Sequence, residues 1–474
     1  MEYLYEKLES YGKQDYYGFH MPGHKRNCNV IGAELPYGID ITEIEGFDNL
    51  HHAEAIIKEA ELRAASLYHS EETHYMINGS TAGILSAVMG CSKKGGKILM
   101  ARNCHKSVYH AVFLNELHPV YIYPEFDENR ELNMEISPEK VEQLLDEYEG
   151  IQAVILTSPT YDGVLSKIEK IAEIVHKKKI PLIVDEAHGA HLGFHPYFPE
   201  NAITKGADVV IHSLHKTLPA LTQTALIHLN GQLIDRKRIR HYLQIFQTSS
   251  PSYVLMASMD ECLRKMAENG TELFGNYVNL LESTRKQLQR LKHIRLLETE
   301  NFDRSKIVLS VKDTVDKKEQ QSFTGKRLYE RLLSEYHLQM EMAAGSYVIA
   351  MTSPGDTNEG MNRLVKALSE IDRDLDIKKS EKHQYELPSQ EQVYTSFEVE
   401  EKRASEKIQS KKWQDAIGLI SMEYAYLYPP GIPLIVPGER ITKDIVKTFM
   451  DYQKKGFSVE GICVENYIEV LINE

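Results

Sequence analysis

The stretch ADVVIHSLHKTL, Ala207–Leu218, decides the fold. Its β-branched apolar run, Asp208–His212, leads directly into Ser213, His215 and Lys216. A short continuous apolar run of this kind fits a strand buried on both faces. The polar cluster after it then sits at the strand's carboxyl edge, where open α/β sheets bind ligands. A lysine held there loses part of its hydration, which lowers its pKa and makes a neutral amine available for imine formation. Alone, the stretch reads more simply as an exposed loop lysine, so its surroundings have to decide.

Working outward, IPLIVDEAHGAH (Ile180–His191) is a second apolar run, ending in Asp185, thirty-one residues before Lys216. A carboxylate at a strand end can pair with a protonated ring nitrogen; it can also be a plain helix cap. INGSTAGIL (Ile77–Leu85) places Gly79, Ser80 and Thr81 between a strand-like stretch, Thr73–Ile77, and a helix. Main-chain N–H groups at a helix start, helped by hydroxyls, bind phosphate. In ARNCHKSVYHA (Ala101–Ala111), His105 follows another strand, where an imidazole can stack on an aromatic cofactor or serve as a core residue. Phosphate cradle, stacking imidazole, carboxylate and lysine thus occur in order, each at a strand end. Together they answer what pyridoxal 5′-phosphate (PLP) requires: an anchor, a ring clamp, a pyridinium partner and an imine lysine.

The rest of the chain supports an α/β class. Strands are expected at Lys97–Ala101, Val120–Tyr123, Ala153–Thr157, Pro181–Asp185 and Asp208–His212, with helices between several of them. Helices are expected over residues 1–15, Ala53–Tyr68 and Ser80–Gly90, and one opening at Ser137-Pro138. Strands alternating with helices imply a mainly parallel sheet covered on both faces. The expected organisation is an N-terminal helix and arm over 1–50 and a large cofactor domain over 51–275. A small α/β domain follows over 276–375, then a charged linker and C-terminal α+β domain over 376–474. In the small domain, Asn276–Lys292 and Gly325–Tyr336 read as helices, and Ile307–Val311 and Tyr347–Met351 as strands. Residues 371–412 read as a linker or a solvated helical stretch, and the last segment ends in two strand-like runs.

Composition narrows the function classes. A net charge of −14 argues against nucleic acid or anionic membrane as partner, because both need clustered Lys and Arg. Five cysteines without CxxC spacing fit a reducing compartment. The charged N-terminus lacks an apolar signal core and no run is long enough to span a bilayer, so a soluble cytoplasmic protein is expected. No metal site is expected: Pro22-Gly23 breaks any helix carrying His20 and His24, and Gly189 weakens one carrying His188 and His191.

HMPGHKR (His20–Arg26), NGSTAG, RNCHKS, TSPTYDG (Thr157–Gly163), DEAHGAH, HSLHKTL and YPPGIPLIVPGE closely resemble the prokaryotic ornithine/lysine/arginine decarboxylase family. The resemblance runs from about residue 16 to the end. It implies the aspartate-aminotransferase type of PLP fold (fold type I) and decarboxylation of a basic amino acid to its amine and CO2, a step of polyamine-type metabolism. Carried over, Ser80 and Thr81 hold the phosphate, His105 stacks on the pyridine ring and Ala187 packs on its other face. Asp185 binds the ring nitrogen, Lys216 forms the imine, and Ser213 and His215 contact the phosphate or the imine region. His215 or Lys216 returns the proton to Cα. Thr248 and Ser249, in QTSSPS, reach the phosphate across the interface of a homodimer with a shared site.

The large enterobacterial members carry an N-terminal wing domain, whereas here HMPGHKR starts at residue 20, which favours a dimer over their decamer. The shorter architecture resembles Gram-positive arginine decarboxylases, placing arginine ahead of lysine and ornithine as substrate. Glu423 and Tyr428, beside the rigid Pro429-Pro430-Gly431 turn, are candidates for the substrate's cationic end. Two rival readings remain. One is another fold type I reaction, aminotransferase or lyase, against which the lack of an Arg over residues 340–360 weighs. The other is a catalytically silent regulatory paralogue, against which the presence of both Lys216 and Asp185 weighs.

Overall fold

The computed structural model describes residues 3–14, 35–378, 389–427, 432–454 and 456–472. The motif His20–Arg26 lies outside them. The chain divides into two compact units, one of residues 1–91, 168–276 and 353–355, the other of residues 92–167, 277–352 and 356–474.

Seven strands carry the α/β part: β1 Glu72–Met76, β2 Lys97–Ala101, β3 His118–Ile122, β4 Ile151–Thr157, β5 Leu182–Asp185, β6 Val209–His212 and β7 Ala225–Leu229. In the first unit the order is β1-β7-β6-β5. There β5 and β6 are parallel, while β7 is antiparallel to both β6 and β1. In the second unit β2 lies between β3 and β4, parallel to each. Every residue of β5, β6 and β7 is buried, which is why β5 and β6 read as continuous apolar runs rather than alternating ones.

Helix starts follow local chemistry. Ser137 accepts a hydrogen bond on Oγ from the Lys140 N–H at 3.2 Å, and Pro138 occupies the first turn of the helix Pro138–Glu147. The helix Ile168–Lys177 buries Ile168, Ile171, Ala172 and Val175, the three-and-four spacing of one apolar face.

Three elements differ from expectation. The helix expected to begin at Asn276 is the second half of one running from Tyr253 to Leu288. Its buried side chains continue without a break from Met256 through Leu263 and Phe274 to Leu281. Gly270 and Gly275 cost helix propensity but leave the hydrogen-bond ladder intact, and no proline interrupts it. The charged stretch within 371–412 holds the helical alternative and, beyond expectation, a strand. A helix, Ser396–Lys402, opens with a capping box between Thr395 and Glu398, and a strand, Lys407–Lys412, pairs with Tyr467–Ile472. Val399 is fully buried there, one apolar anchor among charges that composition alone hides. Finally, β7 was not anticipated; its register with β1 and β6 is a long-range pairing.

In the second unit a buried guanidinium joins the end of β2 to the C-terminal segment. Arg102 donates to both oxygens of Glu439, at 3.3 and 3.2 Å, to the Pro433 and Leu434 carbonyls, and to Tyr109 Oη. Both charged side chains are 1% exposed. The motifs RNCHKS and YPPGIPLIVPGE therefore supply the two halves of one ion pair. Removing one partner leaves an uncompensated buried charge, so Glu439→Ala is expected to lower the unfolding free energy by about 3–5 kcal/mol in urea denaturation. A loss below about 1 kcal/mol, the range of an exposed pair, would show that the contact is not structural.

Candidate active site

Asp185 is the last residue of β5 and is 3% exposed. Its Oδ1 accepts from the Ala187 N–H at 3.2 Å. Burial pushes its pKa up; the Lys216 charge and the Ala187 N–H oppose this, and the net direction is upward. The next strand ends beside it: the Ser213 N–H donates to the Ala187 carbonyl at 3.3 Å. Ser213 precedes a single helical turn, Leu214–Thr217, which carries Lys216. Lys216 Nζ lies 3.0 Å from Nε2 of His188, itself buried. His215 Nδ1 donates to the Thr224 carbonyl at 3.0 Å, which leaves Nε2 as its lone-pair nitrogen. Burial lowers the His215 pKa, against the help of that hydrogen bond. The hydroxyls Ser213 Oγ and Thr217 Oγ1 are buried and, among the described residues, have no hydrogen-bond partner.

The loop before the helix Gly79–Cys91 is held by main-chain contacts. The Ile77 N–H donates to Gln247 Oε1 at 2.9 Å, and Gln223 Nε2 donates to the Ile77 carbonyl at 2.6 Å. Gly79 adopts φ +72°, a left-handed value that favours glycine at this tight entry to the helix. Ser80 is half-buried and Thr81 exposed. The Thr248 N–H reaches Asn78 Oδ1 at 3.3 Å, so the QTSSPS segment lies beside this same chain's helix start, with Thr248 and Ser249 exposed.

Two further candidates belong to the second unit. His105 caps the helix Lys106–Leu114, its Nδ1 accepting from the Ser107 N–H at 3.2 Å. Glu423 is buried, and its two carboxylate oxygens accept from the main-chain N–H groups of Cys463 and Glu469, at 2.7 and 2.8 Å. That is the bonding of an internal anchor for the C-terminal strands. Tyr428 lies outside the described residues.

The structure adds residues that the sequence did not offer as members of the site. His188 follows Asp185 by three and was weighed only as half of a histidine pair; its approach to Lys216 depends on two strand ends coming together. A second group is a buried line of side chains. Glu186 Oε2 is 2.7 Å from His212 Nε2, His212 Nδ1 is 3.1 Å from His228 Nε2, and His228 Nδ1 is 2.8 Å from Thr73 Oγ1.

The sequence matches the Orn/Lys/Arg decarboxylase family, its major domain over residues 3–325 and its C-terminal domain over residues 378–458. The chain belongs to the Orn/Lys/Arg decarboxylase family. An arginine decarboxylase of Halalkalibacterium halodurans is 30% identical, over 97% of this chain and 94% of the relative. The structure of the constitutive lysine decarboxylase of Escherichia coli superimposes with a TM-score of 0.82 at 19% identity, covering 99% of this chain and 82% of that one. A structure described as SPT with PLP shares the fold more distantly, with a TM-score of 0.53 at 16% identity over 66% of this chain and 76% of that one. This member of the family is an enzyme, a carboxy-lyase acting on a basic amino acid, and its α/β fold is that of the PLP fold type I enzymes. Among the described residues no helix is long and apolar enough to cross a membrane.

For this decarboxylase, Glu423→Gln turns one acceptor of two main-chain N–H groups into a donor. It is expected to lower stability by about 1–3 kcal/mol in chemical denaturation while leaving KM for the amino acid unchanged. A raised KM with unchanged stability would instead place Glu423 at the substrate.

Proposed function

We propose that this enzyme is a PLP-dependent arginine decarboxylase in which Lys216 carries the cofactor. The observation that supports the reading best is the grouping at the ends of β5 and β6: a buried carboxylate, a lysine whose amine has a histidine acceptor, and two buried hydroxyls without a hydrogen-bond partner among the described residues. Ser213 Oγ and Thr217 Oγ1 are the kind of unmet polar atoms that a polar ligand satisfies. The relatives named as arginine decarboxylases, similar over nearly the whole chain, favour arginine over lysine and ornithine.

PLP, when bound, withdraws the electron pair of the breaking Cα–carboxylate bond into its ring. The chain's own residues do the rest. Ser80, Thr81 and the N–H groups of the helix start at Gly79 bind the phosphate. Ala187 and His105 are the residues that the family resemblance gives to the two ring faces. Asp185 as a carboxylate holds a proton on the ring nitrogen; the positive partner restores the ionised form that burial alone disfavours. His188 accepts a hydrogen bond, and a proton, from Lys216 Nζ, so the amine can react in its neutral form.

After CO2 leaves, a proton must return to Cα. Burial lowers the His215 pKa and its Nδ1–H is committed to the Thr224 carbonyl, so Lys216, recharged from His188, is the better donor. We further propose a homodimer in which Thr248 and Ser249 serve a phosphate. Mixing Lys216→Ala chains with chains mutated at Thr248 and Ser249 distinguishes a shared site, which complements, from a site within one chain, which does not.

The direct test is CO2 release from arginine, lysine and ornithine with added PLP, together with borohydride reduction and peptide mapping. Arginine is expected to turn over fastest and the reduced tag to fall on Lys216. A tag on another lysine, or preference for a neutral or acidic amino acid, would overturn the reading. Asp185→Asn is expected to keep the cofactor but lose at least about two orders of magnitude in kcat, since an amide cannot hold the ring proton by charge. Near wild-type turnover would reduce Asp185 to a structural role.

A further inference from the structure

The line Thr73, His228, His212 and Glu186 crosses the first unit in the strand order β1-β7-β6-β5. Thr73 on β1 is directly opposite His228 on β7. His212, at the end of β6, is the diagonal neighbour of His228, because His228 pairs with Val210. Glu186 follows the last residue of β5. Both histidines are 0% exposed, and Glu186 and Thr73 nearly so. Beyond Thr73 the line reaches half-buried Ser70, whose Oγ is 2.6 Å from Thr73 Oγ1.

The hydrogen bonds have a consistent direction. Glu186 as a carboxylate only accepts, and it also takes the Ala202 N–H at 3.1 Å. With one proton on each imidazole, His212 donates from Nε2 to Glu186 and accepts on Nδ1. His228 donates from Nε2 to that nitrogen and accepts on its own Nδ1 from the Thr73 hydroxyl. Thr73 accepts in turn from Ser70. Each donor meets an acceptor when each imidazole carries one proton. Burial drives the His228 proton affinity well down, in keeping with a neutral ring. Tyr68 closes one side, its ring centroid 4.9 and 4.8 Å from those of His212 and His228, with its hydroxyl given to the Ala190 carbonyl. The other charged or titratable groups acting on the line are Asp185 and Lys205 at the Glu186 end, and His74 at the His228 end.

We propose that Thr73, His228, His212 and Glu186 form a positioning network for the decarboxylation site, locking the ends of β5 and β6 so that Asp185 and Ser213 face the cofactor. The proposal rests on the reading that Asp185 and Ser213 serve PLP. His212 immediately precedes Ser213, and Glu186 immediately follows Asp185. A change of tautomer at His212 would break its bond to Glu186 and free both strand ends together. None of the four residues needs to touch substrate.

The test compares His212→Leu, His212→Gln and Thr73→Val in the PLP-loaded enzyme. A glutamine amide can donate to Glu186 and accept from His228, so His212→Gln is expected to keep kcat and PLP affinity within about threefold. His212→Leu leaves His228 and Glu186 without that partner and is expected to lose about tenfold or more in PLP affinity and kcat. Thr73→Val, a milder change, is expected to fall between them and to raise the pH of the acid limb of kcat, as His228 gains freedom to protonate. Nitrogen NMR of histidine-labelled enzyme, which needs no activity, is expected to show both rings neutral with the proton on Nε2. Equal impairment of the Leu and Gln variants, unchanged PLP affinity and pH profile in both Leu and Val variants, or protons on Nδ1 would overturn the network. If His212→Leu does not fold, Thr73→Val and the nitrogen spectrum decide. If the wild type releases CO2 from no basic amino acid, the functional reading fails, while the nitrogen spectrum still reports on the hydrogen-bonded line.

Discussion

Two adjacent carboxylates, Asp185 and Glu186, leave the end of one buried strand, and neither has solvent to neutralise it. Burying a charge is costly unless donors or opposite charge meet it. The polar architecture of the first unit answers that constraint in two ways. Glu186 is met permanently, by His212 and by the Ala202 N–H. Asp185 is met less completely, by one main-chain N–H and the charge of Lys216, and burial still pushes its pKa upward. Glu186 is thereby structural, and Asp185 keeps capacity for a cationic partner. On the proposed reading, a pyridinium nitrogen would be such a partner.

The second unit shows the same rule in another form. Arg102 is as buried as Glu439, and its donors are shared among a carboxylate, two carbonyls and a phenol. Pairs of this kind are weak arguments for stability relative to apolar packing, but they fix which surfaces meet. Here the pair joins the segment that begins with Arg102 and runs into His105 to the segment Pro433–Glu439. Glu423 acts similarly within the C-terminal strands, through main-chain N–H groups rather than a cation.

Much of the fold was legible because burial writes itself into the sequence. Strands covered on both faces must be continuous apolar runs, and Lys97–Ala101, Leu182–Asp185 and Val209–His212 were found that way. Ser137-Pro138 marked a helix start by its own chemistry. In the stretch 371–412 the helical part was legible and the strand was not, because a charged edge strand is stabilised by its partner, Tyr467–Ile472, rather than by composition. The strand Ala225–Leu229 and the undivided helix Tyr253–Leu288 were missed for related reasons: pairing partners and tolerated glycines are not local signals.

The sequence by itself determined the family, the α/β class and the order of the chemical groups, since strand-end lysine, carboxylate and glycine-hydroxyl loop are each tied to a local pattern. Only the tertiary structure decided which histidines come together. His188 reaches Lys216 because two strands end side by side. His212 reaches His228 because an antiparallel register makes them diagonal neighbours, and His228 reaches Thr73 across the next pair. Hydrogen bonds of 3.1 and 2.8 Å between residues 16 and 155 positions apart depend on register, which no single segment carries.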